Sequence, residues 1–285
     1  MSLRVDEVPT NATSNENLSV YNSSLVAEHY AGLDYLSPCE QEIFNNHLRP
    51  GMDILDLGVG GGRTTGYLSG IAKRYVGVDY APNMIEACRA KYPALEFHTA
   101  DAADLSMFAD TSFDAVVFAF NGIDYIVPDE NRRRCLQECH RLLRSGGVFV
   151  FSTHNPRAVL VRALWDQQRV RRFAKKLVGD GVLLGTVTAV ATCTKAVITT
   201  CRAAGNSAYR ILRRLPRAMF WKGEGWLWDS SHGGLTLHYA IPSRVVTELE
   251  QRGFQLLQVL GDDYPRVSRR YITDWYYYVF AKRNG

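Results

Sequence analysis

Short apolar runs and amphipathic stretches alternate along most of this chain. Residues 53–57 (Asp53-Ile54-Leu55-Asp56-Leu57) form an apolar run ending in glycines, 64–72 carry helical spacing, and 74–79 form a second run. Helical spacing returns at 82–92, with Pro82 at a first helical position. Strands are predicted at 95–100 and 113–120, the latter (Phe113-Asp114-Ala115-Val116-Val117-Phe118-Ala119-Phe120) continuous enough to be buried on both faces. A helix over 130–143 closes on Ser145-Gly146-Gly147 and leads into a strand over 148–152. This βαβαβ alternation predicts an α/β fold, a doubly wound, mostly parallel sheet with right-handed crossovers.

The pattern resumes near the end of the chain. A strand is expected at 235–240, a helix at 242–252 stopped by Gly253, and a closing strand pair at 254–260 and 275–281. Upstream, Tyr30, Leu33, Leu36, Ile43, Phe44 and Leu48 recur at threes and fours, so 25–48 reads as helical. Residues 1–24 are polar and rich in Asn, Ser and Thr, and are expected to be a flexible arm. They hold no apolar run of the kind a secretion signal needs, which points to a cytoplasmic protein.

Composition changes this picture in one place. The chain has 285 residues, is 46% hydrophobic and has a net charge of +4, enough apolar content for a core. Residues 157–222, however, hold fourteen Arg or Lys against Asp166 and Asp180, a net of +12 that leaves −8 for the rest. Residues 157–228 therefore read as a basic, helical insertion into a domain spanning 25–285. Within it, 182–201 carry only Lys195 as a charge and many Thr, which fits a surface-lying helix or a substrate lid better than a membrane span. Trp221, Trp226 and Trp228 follow. An anionic membrane surface, a lipid-linked glycan with pyrophosphate, and an acidic carrier protein all fit the charge of 157–222, as does a lid with solvated arginines. Nucleic acid fits the sign alone, since no recognised RNA-binding module accompanies the patch.

The densest motif is Ile54-Leu55-Asp56-Leu57-Gly58-Val59-Gly60-Gly61-Gly62-Arg63-Thr64. Glycines permit tight turns and let backbone N–H groups approach a ligand. A dinucleotide loop needs a third glycine where Arg63 stands, and Asp56 would repel a pyrophosphate. A ligand with a cationic end and no phosphate fits better, and S-adenosylmethionine is one.

On these residues the chain resembles the class I S-adenosylmethionine-dependent methyltransferases, in particular their small-molecule and glycan-modifying branch, over residues 25–155 and 235–282. The resemblance implies a seven-stranded sheet in the order 3-2-1-4-5-7-6 with the helical insertion after strand five. It implies that Asp56, Gly58, Gly60 and Gly62 hold the methionine part of S-adenosylmethionine. Asp79, in Val76-Gly77-Val78-Asp79-Tyr80, would bond the ribose, and Asp101, in Thr99-Ala100-Asp101-Ala102, the adenine amine. Tyr80, Met84, Ala102, Phe120 and Asn121 would line the cofactor pocket, with Tyr30 of the first helix covering it. Arg141-Leu142-Leu143-Arg144-Ser145-Gly146-Gly147 matches the turn before strand five.

Methyl transfer to a hydroxyl benefits from a nearby base. His154 follows strand five in Phe151-Ser152-Thr153-His154-Asn155-Pro156, on the carboxyl edge where α/β proteins bind ligands, and is the expected base. His238 and Tyr239 are weaker candidates. Cys135 and Cys139 share a helix face beside His140, but a zinc site needs about four ligands and none of the six cysteines forms a CxxC pair, so no metal is expected. The expected reaction is O-methylation of a sugar or lipid-linked glycan, with another small metabolite or RNA as alternative acceptors. A non-catalytic member of the fold that docks on a membrane or partner is the remaining alternative. Peripheral attachment at the inner face of the membrane is consistent with the first reading.

Overall fold

The computed structural model describes residues 14–156, 223–229, 235–265 and 273–284. In chain order the helices are α1 (Ser14–Tyr21), α2 (Ser24–Ala31), α3 (Pro38–His47), α4 (Thr65–Ile71), α5 (Pro82–Lys91), α6 (Asp129–Leu142) and α7 (Pro242–Gln251). The strands are β1 (Met52–Leu57), β2 (Ala72–Asp79), β3 (Glu96–Thr99), β4 (Phe113–Phe118), β5 (Leu143–His154), β6 (Glu224–Asp229), β7 (Leu235–Ala240), β8 (Phe254–Gly261) and β9 (Trp275–Lys282). A 3-10 turn, Gly122–Tyr125, follows β4.

Seven strands form one sheet in the order β3-β2-β1-β4-β5-β9-β8, and β6 and β7 pair as a separate hairpin. Counted within the sheet alone, this is the expected order 3-2-1-4-5-7-6. The strands from β3 through β5 are parallel, and β9 runs antiparallel between β5 and β8. Side chains alternate between the two faces. Leu55, Leu57, Val116 and Phe118 pack towards Cys135, Leu136 and Cys139 of α6. Ile54, Ala115 and Val117 pack towards Ile43 and Phe44 of α3 and Leu68 of α4. Both faces are covered, which explains the near-continuous apolar run of β4.

Local signals set the helix that matters most for the site. Ser37 caps α3 through a capping box: Glu40 N–H donates to Ser37 Oγ (3.2 Å), and Ser37 N–H donates to Glu40 Oε2 (2.8 Å). The single helical stretch expected over 25–48 is broken into α2 and α3 because this box restarts the helix at Pro38.

Two expectations are corrected. The flexible arm expected over 1–24 contains a helix at its end, α1. Buried Asn17 fastens it, donating from Nδ2 to the carbonyls of Tyr125 (2.8 Å) and Thr236 (2.9 Å) while Oδ1 accepts from Thr236 N–H (3.2 Å). Residues 224–228, placed in a helical insertion, form β6 instead. Every residue of β7 is buried, and its backbone finds partners in β6 with Trp226 opposite His238. The remainder of the insertion, including 182–201, Trp221 and the basic residues of 157–222, lies outside the described residues. Among the described residues no helix is long and apolar enough to cross a membrane.

Candidate functional site

The carboxyl ends of β1, β2 and β4 open into a cleft of about 1130 Å³ including its mouth. It sits where the strand order reverses between β1 and β4, the usual ligand position in doubly wound sheets. Its walls hold Tyr30, Asp56, Gly58, Gly60, Asp79, Tyr80, Met84, Asp101, Ala102 and Phe120, ten of the expected site residues brought into one cavity.

The glycine loop is shaped by close approach. Gly58 has φ +60°, and a Cβ there would come within 2.5 Å of Cε2 of Phe118, so neither the backbone nor the space admits a side chain. Gly60 N–H donates to Asp79 Oδ2 and Ala81 N–H donates to Asp79 Oδ1, each at 2.9 Å. Asp79 thus ties the loop after β1 to the end of β2. Gly62 does not line the cleft; it lies against Tyr92 and Cys88 and turns the chain into α4.

Asp56 is buried at the base of the loop and accepts from Thr64 Oγ1 and Tyr75 Oη, both at 2.9 Å. Burial pushes the Asp56 carboxyl up to about 6 against these hydrogen bonds. Burial likewise raises Asp79 to about 6, opposed by its backbone donors. Both groups sit where a cationic or hydroxyl-bearing ligand would favour the ionised form. Asp101 is exposed at the rim, and its Oδ1 accepts from Ala103 N–H (2.8 Å).

An aromatic roof closes the other side. Tyr21 of α1 meets the rings of Tyr30, Tyr80 and Tyr125 edge-on at 6.3, 6.2 and 5.7 Å. Tyr21 and Tyr125 were missed from the sequence, because their place depends on α1 docking on β7 and on the turn after β4.

Arg63 occupies the position that a dinucleotide loop would give to glycine. Its guanidinium pairs with fully buried Glu40 through two bonds, NH1 to Oε2 at 2.7 Å and NH2 to Oε1 at 2.5 Å. It stacks on the rings of Tyr35 and Phe120 at 5.2 and 4.9 Å. Burial alone would raise the Glu40 carboxyl, but Arg63 and the Tyr277 hydroxyl outweigh it and hold it below its ordinary value.

The loop after β4 is unusual. Phe120 and Asn121 both adopt left-handed backbone, φ 58° and 64°. Phe120 is 37% exposed at the cleft, with its ring 5.9 Å from that of Trp275. Asn121 turns away from the cleft: its N–H donates to Ser152 Oγ (2.7 Å), and its side chain faces His154. His154 is also absent from the cleft wall and lies behind Tyr125, ring centroids 6.1 Å apart. Its Nδ1 meets Asp124 Oδ2 at 2.8 Å, a partner the sequence reading did not find.

His238 is buried away from the cleft against Trp226, and burial together with Arg132 and Arg133 holds it neutral, well below its ordinary value. Tyr239 packs its ring 5.2 Å from that of His154. Cys135 and Cys139 are buried core residues of α6, and His140 packs on Phe254. Among the described residues no three His, Cys, Asp or Glu side chains converge on a metal position.

Residues 55–151 match the family model described as methyltransferase domain. That stretch runs from β1 through most of β5 and contains the whole glycine loop, Asp79 and Asp101. The chain is 34% identical over 109 residues to a Mycolicibacterium smegmatis protein described as a probable S-adenosylmethionine-dependent methyltransferase, covering 38% of this chain and 40% of that one. It is 37% identical over 122 residues to the demethylmenaquinone methyltransferase of Clavibacter sepedonicus, 41% of this chain and 47% of that one. The chain thus spans less than half the length of either relative. Among solved structures, the CcbJ methyltransferase from Streptomyces caelestis superposes with a TM-score of 0.57 at 16% identity, over 93% of this chain and 98% of that one. The 1,6-didemethyltoxoflavin-N1-methyltransferase from Burkholderia thailandensis, solved with S-adenosylhomocysteine, gives 0.53 at 14% identity, over 98% and 94%. The architecture is the Rossmann-like methyltransferase fold.

Proposed function

We propose that this protein is an S-adenosylmethionine-dependent methyltransferase acting on a small-molecule hydroxyl, in particular that of a sugar or lipid-linked glycan. The observation that carries the reading is the convergence of Asp56, Asp79, Asp101 and the glycine loop on one cleft where, among the described residues, the lining cation Arg63 is already paired with Glu40. The cradle fits the ligand. Gly58 and Gly60 leave room for backbone approach, Asp56 can face an amine, Asp79 the ribose hydroxyls and Asp101 the adenine amine. When bound, S-adenosylmethionine supplies an electrophilic methyl group on a sulfonium. The chain's own contribution is alignment, exclusion of water by the tyrosine roof, and removal of the acceptor's proton.

Calorimetry with S-adenosylmethionine and S-adenosylhomocysteine tests this directly. Asp56 and Asp79 stand near 6 when folded against 3.8 for an ordinary aspartate, so without ligand their stabilising contribution is present below that ordinary value and lost as pH rises through about 6. A ligand that prefers the carboxylates must displace those protons. Affinity should therefore fall about tenfold from pH 7.5 to 5.5, with proton release on binding near pH 6. Absence of binding, or affinity that rises on acidification, would sink the reading.

The exposed Phe120 and adjoining Trp275 support a ring-shaped acceptor, since aromatic faces stack on the C–H faces of sugars. Transfer of labelled methyl to a glycan rather than to quinols or RNA would separate the acceptor classes. The basic residues of 157–222 support docking on an anionic membrane surface. Binding to anionic vesicles that weakens with salt is expected, and equal binding to neutral vesicles would remove that part.

A further inference from the structure

We propose that Asp124 is a positioning residue that locks His154 in the Nδ1–H tautomer, so that Nε2 is held as the proton acceptor for the methylated group. The inference rests on the methyltransferase reading and adds to it a residue that the sequence did not single out.

The two nitrogens of His154 meet chemically opposite partners. Asp124 Oδ2 lies 2.8 Å from Nδ1, and a carboxylate accepts but does not donate, so the proton resides on Nδ1. The Asn121 amide nitrogen lies 3.4 Å from Nε2, and an amide nitrogen donates but does not accept, so Nε2 presents its lone pair. Neither residue is held by chance. Asp124 is 1% exposed, and its carboxylate is immobilised: Oδ1 accepts from Thr153 Oγ1 (2.6 Å), and Oδ2 also accepts the backbone N–H of His154 (2.7 Å). Asn121 is fixed by its left-handed backbone and by the bond to Ser152 Oγ. One short segment after β4 therefore reaches both sides of a ring carried at the end of β5. The left-handed pair Phe120–Asn121 makes this possible by folding the 3-10 turn back under β5.

The contact on Nε2 is the weak one. At 3.4 Å it is longer than an ordinary N–H···N bond, and Asn121 Oδ1 is buried with no hydrogen-bond partner among the described residues. A hydroxyl arriving between them finds two acceptors and displaces only a poor bond. Phe120 and Gly122, the chain neighbours of Asn121, both line the cleft. In the reaction the acceptor oxygen gains the methyl carbon as the carbon–sulfur bond breaks, the electron pair staying on sulfur. The acceptor's proton passes to Nε2, and the resulting imidazolium faces the Asp124 carboxylate before releasing the proton to solvent.

The tautomer is measurable without knowing the acceptor. Long-range nitrogen–proton correlations on the full chain labelled at histidine, with S-adenosylhomocysteine added, should show His154 protonated on Nδ1, assigned by comparison with His154→Gln. In Asp124→Ala that preference should be lost, while the affinity for S-adenosylhomocysteine stays within about threefold of the unaltered protein. A His154 ring protonated on Nε2 in the unaltered protein overturns the assignment, whether or not the variant folds. An Asp124→Ala ring that keeps its proton on Nδ1 overturns it as well. Failure of the methyltransferase reading looks different: the unaltered protein would not bind S-adenosylhomocysteine at all.

Discussion

Replacing Asp79 with Ala is expected to weaken binding of S-adenosylmethionine by about 2–4 kcal/mol, roughly 30- to 1000-fold, and to leave the unliganded fold intact. The carboxylate accepts from Gly60 and Ala81 N–H, so its loss both removes the proposed acceptor for the ribose and frees the glycine loop proposed to frame the methionine part. The same group carries an electrostatic cost without ligand, because burial has raised it to about 6 and its charge, still the main form at pH 7, is less well solvated than in water. Removing it therefore takes away an electrostatic cost along with two hydrogen bonds, and the unfolding midpoint in urea should move little. This is the pattern of a residue kept for binding at the expense of stability. Asp101→Ala is the control. Asp101 is exposed and its partner is a backbone amide of its own turn, so its loss should cost no more than about tenfold. An Asp79→Ala protein that binds within threefold of the unaltered chain would refute the ribose assignment.

The contrast between these two acids also explains which parts of the site were legible in the sequence. Asp56, the glycine loop, Asp79 and Asp101 all belong to consecutive βα units, so the order of apolar runs fixes their place at one sheet edge before any tertiary contact is known. Asp124 has no such signal. Its meaning depends on Phe120 and Asn121 both adopting left-handed backbone, which an asparagine favours but a phenylalanine does not announce. Its partner His154 lies thirty positions away on a neighbouring strand. The roof is hidden for a similar reason: α1 is short and polar, and the groups that hold Asn17 are the backbone carbonyls of Tyr125 and Thr236, far off in sequence. Strand β6 was hidden inside a stretch dominated by its charge, since pairing with a buried β7 decides its conformation rather than its own pattern. Periodicity reports burial against the chain's own sheet; it does not report polar fastening between distant segments.

Replacing Arg63 with Ala is expected to destabilise the protein by about 3–5 kcal/mol, the largest stability effect of any single change in the site. Glu40 is 0% exposed, and Arg63 supplies both of its charged hydrogen bonds. Without Arg63, the remaining donors to Glu40 are the Tyr277 hydroxyl (2.6 Å) and the Ser37 N–H, both neutral groups, against a full buried charge. Two packing contacts go as well, since the guanidinium stacks on Tyr35 and Phe120. The pair joins α3, the glycine loop and β9, so the loss should spread to the cleft and show as weaker S-adenosylhomocysteine binding. A double variant separates charge from packing. Glu40→Gln with Arg63→Met removes both charges while keeping bulk, and should recover more than half of the loss seen with Arg63→Ala, because the cost lies in an unpaired charge. The sign with pH follows from the same charge. In the unaltered protein the Glu40 carboxyl is held below its ordinary value, so the stability it contributes is present above 4.5 and is lost as pH falls towards the folded value. With Arg63 gone, the buried carboxyl instead rises, and Arg63→Ala should become relatively more stable as the pH is lowered from 7 to 5. Urea unfolding at the two pH values reads this directly. An Arg63→Ala penalty under 1 kcal/mol, or one that grows on acidification, would show that Glu40 is not carrying a buried charge.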